Sequence, residues 1–188
     1  MTAVADNRRR SQNETAVLDA AEKLFYERGI QAVGMDAVRT ASGISLKRIY
    51  GLFGTKEDLV IEVLGRRDRR WRASLAEYVN ACKDPRERVI ALFGWLGNWF
   101  AEPDFRGCAW INIYGELGAV SPAILAEVQV HKRAFHEQIR SLVGDAGESS
   151  AQAVCLLAEG AIVMAAITGD AQAATAAATA AQTLIGAD

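Results

Sequence analysis

Apolar residues recur along this chain at intervals of three and four, which is the spacing of one face of an α-helix. Stripes of this kind run through residues 13–28, 55–78, 85–101, 122–143 and 149–168. The first stripe consists of Val17, Ala21, Leu24 and Phe25. Glycine or proline residues stand between most stripes, where they end one helix and allow the next to begin. The pattern predicts an all-α fold of about nine helices.

A short helix followed by a glycine is predicted from about Met35 to Ser42. Met35, Val38 and Ala41 stand three residues apart, which predicts one buried stripe. Gly43 can take the left-handed conformation that ends a helix. Ser45 follows, and a serine at this position can accept a hydrogen bond from the first turn of the next helix.

The next predicted helix, Leu46 to Phe53, has a basic outer face. Ile49 and Phe53 are four residues apart and face inward. The outer face then carries Leu46, Lys47, Arg48, Tyr50 and Gly51. A major groove of DNA admits one helix, and Arg, Lys and Tyr can donate to base edges or phosphates. The pattern therefore indicates either a DNA-reading helix or a helical hairpin with a solvated charged face.

The order of these features resembles the N-terminal DNA-binding domain of the TetR family of bacterial transcriptional regulators, over about residues 14–64. The matching residues are Ala21, Phe25, Gly29, Met35, Val38, Ala41, Gly43, Ile44, Ser45, Ile49, Tyr50, Phe53, Lys56, Glu57 and Leu59. Gly34, Arg39 and Gly51-Leu52 depart from the usual family residues. The resemblance implies phosphate contacts for Tyr50 and Lys56, and a base-facing role for Leu46, Lys47 and Arg48. The complete predicted DNA-binding set is Met35, Arg39, Ser45, Leu46, Lys47, Arg48, Tyr50, Gly51 and Lys56.

Charge is distributed unevenly along the 188 residues, although the net charge is only -2. Residues 1–72 hold 14 Lys and Arg against 10 Asp and Glu, whereas residues 73–188 hold 7 against 13. The N-terminal part is therefore suited to a polyanion such as DNA, and the remainder is not. A hydrophobic content of 51% with three prolines indicates a compact helical protein.

No catalytic, metal or cofactor site is predicted. The three cysteines are widely spaced without a CxxC pair, which gives no disulfide framework or zinc site. Glu127 and His131 share a helical face but lack a third ligand at helical spacing. Cys108 near Arg106 is considered as a reactive thiol, although most free cysteines are inert core residues. The N-terminus lacks the apolar segment of a secretory signal, and Glu159 interrupts the longest apolar run, so a cytoplasmic location without membrane contact is expected.

Aromatic residues concentrate between residues 95 and 114, in a chain that is only 7% aromatic. Such a density is typical of a lined ligand cavity, although packing in the core would also explain it. Asn112 and Glu116 share a helical face and could supply polar contacts to a ligand, a capped loop or a second subunit. The predicted effector-binding set is Trp95, Trp99, Trp110, Asn112, Tyr114, Glu116, His131 and Phe135, for a small apolar or aromatic effector.

These observations predict three segments: residues 1–12 as a disordered basic arm, 13–60 as the DNA-binding domain, and 61–188 as an effector-binding and dimerisation domain. The arm carries Arg8, Arg9 and Arg10, which could reach a phosphate or the minor groove. The alanine-rich hairpin of the last two helices has little bulk and is expected to pair with its copy in a homodimer, as the resemblance also implies. We expect a ligand-released repressor of a near-palindromic double-stranded operator. The alternatives are an all-helical enzyme or ligand carrier, and a pure interaction module.

Overall fold

The computed structural model describes residues 2–144 and 147–186, and for residues 2–6 and 85 the backbone only. Within these ranges the chain forms nine α-helices and no strand, which confirms the predicted all-α fold. The helices are α1 (Thr2–Arg28), α2 (Met35–Ser42), α3 (Leu46–Phe53), α4 (Lys56–Asn80), α5 (Pro85–Phe100), α6 (Ala109–Leu117), α7 (Pro122–Val143), α8 (Glu148–Thr168) and α9 (Gln172–Ile185).

The chain divides into two compact units. Unit 1 comprises the residues up to Arg67 together with Asn112–Val128, and unit 2 comprises Asp68–Ile111 and Gln129–Asp188. Unit 1 thus contains α1 to α3 and the first half of α4, and unit 2 contains α5, α8 and α9. Unit 1 includes the predicted DNA-binding segment, and the function assigned to each predicted domain stays a prediction.

Unit 1 has the predicted helix-turn-helix. Gly43 ends α2 with φ of 70°, in the left-handed region that glycine tolerates. The Ser45 hydroxyl caps α3 by accepting a hydrogen bond from the Arg48 amide at 3.4 Å. Ile49 and Phe53 are buried, and the predicted stripe of α1 is buried as well. Local sequence rules therefore place this motif correctly.

Two predictions about unit 1 are wrong. Of the stripe predicted in α2, Val38 is buried, whereas Met35 is half-buried and Ala41 is exposed. Three-residue spacing falls short of the 3.6 residues of a helical turn, so Met35 and Ala41 point away from each other. The predicted disordered arm is also wrong for residues 2–12, because α1 begins at Thr2. No glycine or proline interrupts this segment, and its Ala, Arg and Gln residues favour a helix.

The arginine-rich part of α4 is held by acidic residues of the same unit. The Arg66 guanidinium lies 2.8 Å from Asp19 and 3.0 Å from Glu22. Arg67 lies 3.1 Å from Glu22 and stacks over the Tyr26 ring at 4.2 Å. These contacts make Arg66 and Arg67 structural residues that fasten α1 to α4.

Unit 2 has its core where α9 packs against α5 and α8. Alanines make this close approach possible, and the Ala174 Cβ would lie 3.4 Å from a Cβ added to Gly97. The buried residues of α9 are Ala174, Ala177, Ala181 and Ile185. The C-terminal hairpin is therefore anchored within unit 2, because α9 is fixed by its contacts with α5 and α8.

Helix α8 is the one helix in the described part of the chain that is long and apolar enough to cross a membrane. Its composition has a simpler cause, because one face packs on α9 and α5. On another side Glu159 accepts a 2.6 Å hydrogen bond from Lys132 and lies 3.1 Å from His136. A buried face and a bonded carboxylate are features of a core helix.

Candidate nucleic-acid interface and ligand site

Helix α3 presents its basic face outward, because Ile49 and Phe53 fix the opposite face in the core of unit 1. The side chains of Lys47 and Arg48 are exposed, and Tyr50 is 45% exposed. No acidic residue lies within α3. The helix therefore offers an exposed cationic surface of the width of a single helix, which is the shape that a major groove accepts.

A basic notch lies beside α3, with a volume of about 420 Å³. It is lined by Arg10, Ser45, Lys47, Arg48, Gly51 and Leu52. Arg10 reaches this position because α1 continues toward the N-terminus as a helix. Three cationic side chains around one notch would attract a phosphate group. The predicted DNA-binding set omits Arg10, because a disordered arm gives no reason to place one arginine next to α3.

Other predicted DNA-binding residues are engaged within unit 1. The Lys56 ammonium donates to the Ile30 carbonyl at 2.6 Å. Burial lowers the pKa of Lys56, an effect that the nearby Glu116 carboxylate opposes. Arg39 is exposed and pairs with Asp36 at 3.1 Å. In the free chain, Lys56 thus holds the loop after α1, and a phosphate contact by this residue stays a prediction.

The predicted effector-binding residues fall into separate groups. Asn112, Tyr114 and Glu116 belong to unit 1. The Glu116 carboxylate accepts hydrogen bonds from the Ile30 and Gln31 amides, at 3.1 Å and 2.8 Å. Tyr114 is 56% exposed. Glu116 therefore stabilises the loop at Ile30 and Gln31, next to the helix-turn-helix. The sequence gives no sign of this contact, because Gln31 and Glu116 are 85 residues apart.

The remaining predicted effector residues lie in unit 2 and form an aromatic cluster with Trp71. The cluster consists of Trp71, Trp95, Trp99, Trp110, His131 and Phe135. Trp71 stands at its centre, with its ring 4.9 Å from Trp95, 5.5 Å from Trp99 and 5.0 Å from Phe135, each edge to face. The sequence prediction missed Trp71 because it stands within an arginine-rich run. Its position seven residues after Leu64, on the same face of α4, was the available signal.

A buried polar group lies against the aromatic cluster. The His131 Nδ1 lies 2.6 Å from the Asp68 carboxylate, and Arg72 donates to the same carboxylate at 2.7 Å. Burial alone would raise the pKa of Asp68, but the hydrogen bonds from His131 and Arg72 lower it to about 2. Burial lowers the pKa of His131, although its bond to Asp68 opposes the change. Near neutral pH, Asp68 is therefore ionised, and His131 is neutral with its proton on Nδ1.

The nearby thiol of Cys108 is buried. Burial raises its pKa, although the Lys132 ammonium at 3.6 Å acts in the opposite direction. The thiolate is the nucleophilic form, so a raised pKa disfavours a sensor role. In the described residues, no group of three or more His, Cys, Asp or Glu side chains is arranged to hold a metal ion.

An open apolar groove of about 560 Å³ lies on the outer side of α8 and α9. It is lined by Leu156, Leu157, Gly160, Ala161, Met164, Thr168, Asp170, Gln172, Ala173, Ala176 and Ala177. Large apolar side chains on this side are strongly exposed, Leu156 by 67% and Met164 by 52%. Exposed apolar surface of this kind is typical of protein interaction sites.

Comparison with known proteins agrees with this geometry. Residues 17–63 match a family model described as bacterial regulatory proteins of the TetR family. The chain is 26% identical over 134 residues to the HTH-type transcriptional activator FasR of Mycolicibacterium smegmatis, covering 71% of this chain and 60% of that protein. It is 30% identical over 103 residues to the HTH-type transcriptional regulator BetI of Rhizobium meliloti, covering 54% of this chain and 50% of that protein. The chain thus covers less than two thirds of each of these curated relatives.

Solved structures of regulators share the whole fold. A TetR-family transcriptional regulator from Streptomyces coelicolor superposes with a TM-score of 0.85 at 21% identity, over 94% of this chain and 96% of that chain. A tetR-type regulator from Streptomyces avermitilis superposes with a TM-score of 0.77 at 25% identity, over 90% and 97%. The reduced form of E. coli NemR gives a TM-score of 0.81 at 19% identity, over 90% and 94%.

Proposed function

The chain belongs to the TetR family of bacterial transcriptional regulators, and we propose that it is a homodimeric repressor that a small aromatic effector releases from its operator. DNA-binding transcriptional regulation is the shared property of its relatives. The proposal adds three points to this shared property: that the chain represses transcription, that a small effector releases it from DNA, and that it acts as a homodimer. A cytoplasmic location and the absence of enzymatic activity belong to the same proposal.

The basic notch beside α3 is the observation that carries DNA binding. Lys47 and Arg48 face solvent on a helix that is capped by Ser45 and anchored by buried residues. Arg10 adds a third cation at the same notch. A capped, anchored helix with free cations can enter a groove without unfolding or breaking ion pairs. Two such helices in a dimer would contact half-sites about 34 Å apart on one face of a duplex.

Effector control is proposed to act through α4. This helix is continuous from Lys56 to Asn80, with its first half in unit 1 and its second half in unit 2. Trp71 lies on α4 at the centre of the aromatic cluster. A ligand that contacts Trp71 therefore acts on the same helix that begins next to the helix-turn-helix. Because coupling between two sites is reciprocal, bound operator should weaken effector binding by the same factor.

The DNA-binding part is tested by measuring the affinity of the chain for the DNA upstream of its own gene at several salt concentrations. We expect Lys47→Ala with Arg48→Ala to lower the affinity and to reduce the salt slope by about one for each lost phosphate contact. Lys83→Ala with Arg86→Ala is the matched control, because both residues are exposed cations outside α3. Equal loss in both double variants, or no loss in either, would remove α3 from DNA binding.

The sign of regulation is tested separately with a reporter gene under the same upstream DNA. Deleting the regulator should raise expression if it is a repressor. The relative from Mycolicibacterium smegmatis is named an activator. A fall in expression after the deletion would indicate that this chain is an activator as well.

A further inference from the structure

Two indole N–H groups in unit 2 are buried and have no hydrogen-bond partner in the described part of the chain. They are the Nε1 atoms of Trp71 and Trp110. Trp110 as a whole is only 2% exposed, whereas Trp71 is half-buried. Buried N–H groups in proteins are nearly always paired with protein or with ordered water. Two unpaired donors in one cluster therefore indicate that something outside the chain accepts from them.

The same cluster contains a tryptophan whose donor is satisfied. Trp95 Nε1 donates to the Ser74 hydroxyl at 3.2 Å. The chain thus provides a partner for the Trp95 indole and leaves the buried N–H groups of Trp71 and Trp110 without one. This contrast supplies a matched control inside one structural environment.

The two unpaired indoles lie around one imidazole. Trp110 stacks on His131 with ring centroids 3.5 Å apart and an angle of 4° between the planes. The Trp71 ring lies 5.7 Å from the same imidazole, edge to face. Both indoles are therefore neighbours of His131 within one cluster.

Charge at this place favours a neutral molecule. The Asp68 carboxylate is already bonded to His131 and to Arg72. It is thus compensated and leaves no unbalanced charge for a cationic ligand to pair with. The positive ends of two N–H dipoles favour an acceptor and disfavour a cation. The surrounding aromatic faces favour an aromatic body that packs edge to face.

We propose that the effector is a neutral aromatic molecule bearing hydrogen-bond acceptors, such as a ring nitrogen or a carbonyl oxygen, and that Trp71 and Trp110 donate to them. This inference rests on the proposed function in that it names the ligand class of the proposed effector site. Trp71 belongs to α4 and Trp110 to α6, so a ligand that accepts from both ties these helices together.

The test uses four bicyclic probes of similar size with the full chain, measured by calorimetry at pH 7.5. Quinoline has an acceptor nitrogen, indole has a donor, naphthalene has neither, and N-methylquinolinium carries a fixed positive charge. We expect quinoline to bind about tenfold more tightly than naphthalene or indole, which corresponds to about 1.4 kcal/mol. Tighter binding of N-methylquinolinium would overturn the proposal in favour of a cation site. Equal binding of the neutral probes, or no binding of any probe, would also overturn it.

The donors are tested by replacing single tryptophans with β-(3-benzothienyl)alanine, which keeps the ring shape and substitutes sulfur for the N–H group. Replacement at Trp71 or Trp110 should abolish the preference for quinoline over naphthalene, whereas replacement at Trp95 should leave it unchanged. Thermal unfolding of the free proteins checks folding, and the first two replacements should not lower the melting temperature because no internal hydrogen bond is lost. Trp71→Phe, Trp110→Phe and Trp95→Phe give the same comparison with ordinary residues. An equal effect at all three positions would contradict the proposal.

Operator binding by the unliganded chain is measured alongside. If the ligand class is wrong, the probe preferences fail while DNA binding persists. If the proposed regulator function is wrong, DNA binding fails whatever the probes do. The two failures are therefore distinguishable.

Discussion

Gly51 is an unusual residue for the middle of α3. A Cβ added at this position would meet no atom within 4 Å in the described structure. Glycine in a helix interior costs about 1 kcal/mol relative to alanine, because the flexible backbone loses more entropy on folding. Helix α3 therefore has a lower helix propensity than it would have with alanine at this position.

We predict that Gly51→Ala raises the free energy of unfolding by about 0.5–1 kcal/mol, as measured by urea denaturation. Gly29→Ala is the control, because Gly29 has φ of 85° and a Cβ there would meet the Glu116 carboxylate at 3.1 Å. That variant should be destabilised. A Gly51→Ala protein no more stable than the parent would indicate that α3 gains nothing from higher helix propensity.

At the residue scale, sequence reasoning succeeded where the partner is near in the chain. Gly43 and Ser45 act on neighbouring residues, so local rules identified both. Glu116 was assigned to the effector set, but its partners Ile30 and Gln31 are more than 80 residues away. No periodicity in α6 records that distant contact. The structure was needed to find it.

At the element scale, the bond between Asp68 and His131 joins α4 to α7 inside unit 2. In the folded chain the pKa of Asp68 is lowered to about 2, below its ordinary value. The ionised carboxylate therefore stabilises the fold above about pH 4, and this stabilisation is lost as the pH falls toward 2. Native His131 has a pKa below its ordinary value. The unfolded chain therefore binds the histidine proton more readily, and stability falls as the pH drops below about 6.5.

We predict that the free energy of unfolding decreases continuously from pH 7 to pH 5, and that His131→Gln reduces this slope by removing the titrating group. Denaturant titrations at each pH measure the slope. His136→Gln is the matched control, because His136 lies on the same helix with a side chain that is 31% exposed. A slope unchanged by His131→Gln would show that other groups govern the pH dependence.

The helices themselves were largely predictable, since the apolar stripes of α1, α5 and α7 are long and regular. The start of α1 was not. A run of arginines indicated a disordered arm, but charge alone does not stop a helix when no glycine or proline is present. The aromatic cluster was recognised from its density between residues 95 and 114, yet its central residue, Trp71, comes from α4. A high density of aromatic residues in one segment identifies the residues of that segment, but it cannot identify an aromatic residue that a distant helix contributes to the same cluster.

At the scale of the whole molecule, the expected dimer is based on the alanine content of the C-terminal hairpin. Alanine content alone does not identify which surface a partner would cover. Ala174, Ala177 and Ala181 of α9 are buried inside unit 2, whereas Ala176 is exposed. The surface left for a partner is the large apolar stripe of α8, which carries Leu156, Met164 and Ile167, with Ile167 76% exposed. These residues recur at helical spacing on one side of α8, and two of them, Leu156 and Met164, line the groove.

We therefore predict that Leu156→Glu with Ile167→Glu converts the protein from dimer to monomer, as measured by light scattering after size-exclusion chromatography. Burying two carboxylates in an apolar contact is unfavourable, whereas in the monomer both stay hydrated. Val120→Glu is the control, since Val120 is 75% exposed and lies outside α8 and α9. The double variant should keep its helical circular dichroism but lose most of its affinity for a two-half-site operator, because each half-site is then bound separately. A double variant that remains dimeric would place the subunit contact elsewhere.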